Sequence, residues 1–251
     1  GIEKFMDLYG GLYQERNNIT DYIYEEFESL LNGERIESTN FSMGAGIKYV
    51  AENYSLIPEM KVFPVHRIRT ITAQIGYKRM PVVKEEQEPK TVYHETFQED
   101  MNWYPGFEGQ GEGLFIIPSK DIRLSSRNNI NHDWEILAKR HSGPWDEMWR
   151  EIRGSSVFVW LHTISHSIIK ALSLYCGYSS ASIRERIYID RTGSTGGILL
   201  YTTSAGEDGS MGGLIGSIAD FTNILDMASE NILSCSNDPL CADFRKNMDS
   251  C

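Results

Sequence analysis

The sequence predicts an α/β or α+β fold, in which a mixed sheet packs against a long buried helix and a Cys-rich segment closes the chain. Three observations carry that expectation. Ser156 to Tyr175 is apolar on nearly every face, as in a helix enclosed by a core. Gly197 to Thr203 (GILLYTT) is a short, continuous apolar run of the central-strand type. A Gly-rich loop, Ala205 to Gly213, follows that run and opens a helix to about Ile232, so strands and helices are interleaved.

In chain order, the first amphipathic segment is about Thr20 to Leu31. Tyr22, Ile23, Phe27, Leu30 and Leu31 fall on one side of it, and Asn32-Gly33 is its stop signal. A polar, Gly-containing stretch runs on to Gly46. Met60 to Val65 reads as a short strand, and Arg67 to Lys78 as a basic segment whose Ile68, Ile71 and Ile75 have helix-compatible spacing. Lys84 to Lys90 (KEEQEPK) is a solvated loop and the best candidate boundary. It separates an N-terminal helical or mixed region (1–90) from a central α/β core (91–234), with the Cys segment (235–251) last.

Trp103-Tyr104-Pro105 leads through Gly109, Gly111 and Gly113 into a strand over Leu114 to Ile117. Helical stretches follow around Asp133 to Arg140 and Pro144 to Ile152. Gly177 ends the long helix. Ser182 with Glu185 resembles a capping box for a short helix, Ile183 to Tyr188.

Composition limits the function classes. The chain has 251 residues, 41% hydrophobic and 24% charged, which suits one large domain or two small ones and is enough for a sizeable core. No uninterrupted apolar stretch approaches the roughly 18 to 20 residues of a bilayer span, and the N-terminus has no signal pattern, which argues against secretion and membrane insertion. Lys+Arg 24 against Asp+Glu 35 gives a net charge of −11, which argues against a protein that coats nucleic acid but allows a local basic groove. Residue 1 is Gly and residue 251 is a cysteine of the terminal cluster, the pattern expected of a fragment.

Cys235-x5-Cys241 followed by Cys251 offers three thiolates in a polar, loop-like segment, and clustering of this kind favours metal over unrelated thiols. A closed tetrahedral zinc site needs four ligands, so either Cys176 folds back or the chain continues to another cysteine. His162 and His166 stand four apart on one helical face. Thr163 occupies the position where a zinc protease carries its catalytic Glu, so histidines hydrogen-bonded within a core or interface are the favoured reading.

The Gly206 to Gly213 loop has the order of a phosphate-binding turn but lacks a P-loop Lys-Ser/Thr. Glu207 and Asp208 would repel phosphate, and a helix cap through Asp208 is the expected role. Two basic sets could touch a phosphate backbone: Arg67, Arg69, Lys78 and Arg79, then Arg184, Arg186 and Arg191. No nucleophile pattern stands out.

Six ordered motifs then make a resemblance visible: His162-Thr-Ile-Ser-His166, Cys176-Gly-Tyr178, Ile183-Arg-Glu-Arg-Ile-Tyr188, Gly197-Ile-Leu-Leu-Tyr-Thr202, Asp208-Gly-Ser-Met-Gly-Gly-Leu214 and Cys235-Ser-Asn-Asp-Pro-Leu-Cys241. Together they resemble the MrfA-type zinc-binding domain family. That family includes the C-termini of MrfA-like DNA-repair helicases and DrmB, the helicase-associated subunit of the DISARM anti-phage system. Upstream, Arg67 to Arg79 and Trp103 to Phe115 (with Gly111-Glu112-Gly113) are similar to the DrmB branch, so the resemblance runs from about Glu15 to the end.

The resemblance implies a non-catalytic, cytoplasmic, prokaryotic subunit that assembles with an SNF2-like or related superfamily 2 DNA helicase and meets DNA jointly with it. It implies a structural Zn²⁺ on Cys235, Cys241 and Cys251, with the fourth ligand outside this sequence, and no ATP site of the chain's own. Arg67, Arg69, Lys78, Arg79, Arg184 and Arg186 are the candidates for DNA or partner contact. His162, His166, Glu112 and Asp208 are motif residues without an assigned role. Two alternatives remain: a metal-dependent nuclease or hydrolase built on His162, His166 and a carboxylate such as Glu112 or Asp208, and an accessory domain of a DNA-repair helicase.

Overall fold

Helices cover both faces of the sheet, and that is why its central strands carry the unbroken apolar runs Leu114–Ile117 and Ile198–Leu200 in place of alternation. The computed structural model describes residues 19–33, 35–54, 56–73, 76–77, 90–91, 94–95, 102–103, 105–120, 156–205 and 212–233. Its main sheet has seven strands: β1 (Ile36–Glu37), β2 (Phe41–Met43), β3 (Ile47–Tyr49), β4 (Met60–Ala73), β9 (Gly106–Pro118), β10 (Arg184–Ile189) and β11 (Gly196–Ala205). Four short strands make two small separate ladders, β5 (Gly76–Tyr77) with β6 (Lys90–Thr91) and β7 (His94–Glu95) with β8 (Asn102–Trp103). The strand order is β1-β2-β4-β9-β11-β10, with β3 also on β4. Every described pair is antiparallel, which selects α+β from the two predicted classes.

One face of the sheet meets α1 (Ile19–Asn32). The other meets α2 (Ser156–Cys176) and α4 (Phe221–Leu233), the latter preceded by a one-turn helix α3 (Gly213–Gly216). Successive strand residues serve opposite layers. Leu114, Ile116, Ile198 and Leu200 join the α2/α4 core, while Phe115 and Leu199 join the α1 core. Phe27 of α1 stacks on Tyr188 at 5.5 Å and meets Phe115 edge-on at 6.3 Å. Asp226 of α4, itself buried, accepts from the Asn53 backbone N–H (2.9 Å) and side-chain amide (2.7 Å), fastening the loop after β3 to the helical layer. The sheet takes strands from both sides of residue 90.

The first amphipathic helix and the long helix appear where the sequence places them, and Gly177 (φ +73°) ends the latter in the left-handed region. By composition α2 could cross a membrane, but Leu161, Ile164, Ile168 and Leu172 are buried against the sheet and α4. It is not enclosed on every side, since Thr163, His166, Lys170 and Leu174 are exposed.

Two expectations need correction. Ile183 to Tyr188 is not a capped helix: Arg184–Ile189 is strand β10, hairpinned to β11, and Ser182 ends a 3₁₀ turn capped by Ser179. Cross-strand pairing with Gly196 to Tyr201 and a β-rich Ile-Tyr-Ile end outweigh the local capping signal. Nor is the segment from Arg67 helical: β4 runs on to Ala73, with Ile68 buried on one face and Ile71 exposed on the other, while Ile75 lies outside the described residues. Gly109, Gly111 and Gly113 lie within β9, not before it. Residues 84–89 of the charged loop and the helical expectations over 133–140 and 144–152 lie outside the described residues.

Candidate metal centre at the sheet edge

Helical spacing puts His162 and His166 on one face of α2, one turn apart. Strand alternation puts Glu185 on the face of β10 that Ile187 presents to the same helix layer. The three side chains converge: His162 Nδ1 lies 2.8 Å and His166 Nε2 3.5 Å from the same Glu185 oxygen, Oε1. One ligand atom from each residue lies within 4.8 Å of the others.

The other carboxylate oxygen is anchored, because the hydroxyl of fully buried Ser165 donates to Glu185 Oε2 at 2.5 Å. The His162 ring stacks on Phe158 at 5.6 Å and meets the His166 ring edge-on at 4.4 Å. His162 Nδ1 is screened from solvent yet has no aligned hydrogen-bond partner, so its approach to Glu185 is a close contact and not a directed bond. Burial pushes the Glu185 carboxyl up, but the contacts from His162 and Ser165 and the nearness of both imidazoles hold it below the usual carboxylate range. A cleft of about 440 Å³ opens here, lined by His162, Glu185, Phe158, Arg186, Ile187 and Tyr201.

His162 and His166 are therefore at the sheet edge, half-buried and exposed respectively, and not in the core. Glu112 is elsewhere. Buried at 2% exposure, its Oε1 accepts the Leu214 backbone N–H at 2.8 Å. A carboxylate 102 residues away thus caps the start of α3, the role expected of Asp208, which lies outside the described residues. Cys176 is half-buried at the end of α2, its thiol donating to Gly213 O at 3.4 Å and pushed up by burial and by Glu112.

Three of the four candidate arginines among the described residues make protein contacts. Arg69 forks onto Glu108 (2.6 and 2.7 Å), and Arg186 donates to Glu26 at 2.5 Å. Both line one cleft of about 450 Å³ between α1 and the sheet. Arg67 donates to Ser38 O at 3.0 Å, and Arg184 is exposed at the start of β10. Lys78, Arg79, Cys235, Cys241 and Cys251 lie outside the described residues. Chemically, three thiolates suit Zn²⁺.

Glu185 was missed as a partner of the histidines because its capping-box reading assigned it to a helix. Period-two alternation in Arg184-Glu185-Arg186-Ile187 is the signal that places it beside Ile187.

Residues 164–251 match the model of the MrfA Zn-binding domain. The curated protein "DISARM protein DrmB" of Bacillus paralicheniformis is 34% identical over 200 residues, covering 76% of this chain and 35% of the relative. The chain thus spans about a third of that relative's length. A crystal structure described as the DUF1998 helicase MrfA bound to DNA is similar over 80% of this chain and 22% of its own, at 12% identity and a TM-score of 0.38.

Proposed function

Residues 164–251 belong to the MrfA Zn-binding domain family, and from that premise we propose that the chain is part of a helicase-associated subunit of a DNA-directed defence or repair system. The observation that carries the reading is the 34% identity to DISARM protein DrmB over 200 residues, which favours anti-phage defence over repair. In this reading the chain is a non-catalytic, cytoplasmic, prokaryotic partner of a superfamily 2 DNA helicase. The helicase hydrolyses ATP, and DNA is held jointly. An acidic chain in which Arg69 and Arg186 are engaged by its own carboxylates suits joint contact better than autonomous DNA binding.

Cys235, Cys241 and Cys251 hold a structural Zn²⁺ with a fourth ligand from beyond this sequence. The domain match over those residues supports the metal, and their sulfur chemistry supports a closed, structural site. The test is co-purification of the full subunit with its neighbouring helicase, reading DNA-stimulated ATPase with and without it. The reading expects complex formation, altered ATPase, and zinc lost on Cys→Ser exchange. A helicase indifferent to the subunit in both assays overturns it.

The alternative, a metal-dependent nuclease or hydrolase, rests on the His162–His166–Glu185 cluster, with Glu112 already engaged at α3. DNA cleavage that requires a divalent metal and disappears in His166→Ala would favour it.

A further inference from the structure

We propose that His162, His166 and Glu185 form a second metal site, for one divalent transition-metal ion of the zinc class, separate from the cysteine segment. Bonds of about 2.0 to 2.1 Å to a tetrahedral ion set neighbouring ligand atoms about 3.3 Å apart. The two contacts made by Glu185 Oε1, 2.8 and 3.5 Å, bracket that separation. The ligand atoms all lie within 4.8 Å of one another, and the His166 side chain, 64% exposed, is not packed against a turn toward the ion.

A simple ion pair explains the arrangement less well. One imidazolium would satisfy one carboxylate, with its N–H directed at an oxygen. Here two imidazoles address a single oxygen, and the nearer nitrogen is buried with no aligned partner. Two imidazolium charges with ring centroids 4.4 Å apart would also repel. A cation among the three groups removes both difficulties, since neutral imidazoles then present lone pairs to it.

The surroundings have the form of a ligand support. Ser165, with no exposed surface, holds Oε2 and leaves Oε1 turned to the histidines, while Phe158 stacks on the His162 ring. Three protein ligands leave a fourth position open to the cleft that His162 and Glu185 line, as in zinc sites that keep an exchangeable water. The ion would fasten α2 to edge strand β10.

The experiment is titration of the chelator-stripped chain with Co²⁺ alone. Thiolate ligation gives an intense ultraviolet charge-transfer band, whereas nitrogen and oxygen ligation gives only weak visible bands, so the two sites are read apart. The expected result is a saturable cobalt equivalent without the thiolate band. It should survive when Cys235, Cys241 and Cys251 are all changed to Ser, be lost in His166→Ala, and weaken roughly 10- to 100-fold in Ser165→Ala. Far-ultraviolet circular dichroism confirms the fold of each variant, and Glu185→Gln repeats the test without removing a side chain. Absence of that equivalent in the parent chain, its loss with the thiols, or unchanged affinity in both His166→Ala and Glu185→Gln would overturn the proposal.

Discussion

Replacing Gly111 by Ala tests how closely β9 and β11 approach. An added Cβ would lie 1.6 Å from the Thr202 carbonyl oxygen, 2.7 Å from its carbon and 3.0 Å from Thr203 Cα. All three are backbone atoms of the neighbouring strand, so no rotamer change relieves the contact. β11 would have to retreat by roughly 1.4 Å before the oxygen cleared 3.0 Å. A ladder bond of about 2.9 Å stretched that far is no longer a hydrogen bond. Overpacking costs about 1 to 3 kcal/mol, and each buried backbone group left unpaired about 1 to 3 kcal/mol more. With one backbone group left unpaired the expected loss is therefore about 2 to 6 kcal/mol, a large share of the ~5 to 15 kcal/mol that holds a typical protein folded. Urea unfolding followed by circular dichroism measures it, with the slope checked for two-state behaviour. Gly216→Ala is the control: its Cβ meets nothing within 4 Å in α3, so stability should hold or rise by up to about 1 kcal/mol. A Gly111→Ala loss below about 1 kcal/mol would refute the close-approach argument.

Glu112→Ala leaves the buried Leu214 N–H without its acceptor, so urea unfolding should show a loss of about 1 to 3 kcal/mol. Glu26→Ala strands two donors at once, the Tyr188 hydroxyl and the Arg186 guanidinium, and should cost about 2 to 4 kcal/mol in the same assay. Asp190, in the turn between β10 and β11, is pushed up by burial but held below its ordinary range by Thr192 and by the Ser194 and Thr195 N–H groups. A folded pKa below the unfolded one means that its contribution is complete above the ordinary Asp range near 3.8 and is lost as pH falls through the lowered value. Asp190→Asn should therefore flatten part of the acid limb of a stability–pH curve; an unchanged limb would contradict the assignment.

What the sequence made legible follows the strength of local signals. The α1 stripe of Ile23, Phe27 and Leu30 and the apolar α2 each announce a helix, because burial on a helical period leaves a mark within a few turns. The runs Leu114 to Ile117 and Gly197 to Tyr201 announce strands covered on both faces. The failures share a cause. β10 begins with Arg-Glu-Arg, whose burial depends on α1 and α2, so its identity as a strand is set by partners distant in sequence. On β4, Ile68 and Ile71 stand three apart, which would share a side of a helix but takes opposite faces of a strand, and their spacing alone does not tell the two apart. The site was half legible: the two histidines follow from helix geometry, while the carboxylate that joins them depends on which face of β10 Glu185 occupies.

That same alternation decides how the proposed DNA contacts should be tested. On β10, Glu185 turns to α2 while Arg186 turns to α1, where it meets Glu26 in the network that also satisfies buried Tyr188. Charge reversal at Arg186, or at Arg69 beside Glu108, would weaken the fold along with any DNA contact. A bare loss of affinity in those variants therefore decides nothing. Arg184, exposed at the start of β10, and Arg67, exposed beside Ser38 O, are the informative positions. If they touch phosphate in the helicase complex, exchanging either for Gln should weaken binding alike across DNA sequences and lower the salt slope of log K by about one. Damage to the fold lowers the amount of competent protein without changing that slope. Equal slopes for parent and variants, at unchanged thermal stability, would remove these arginines from the DNA interface.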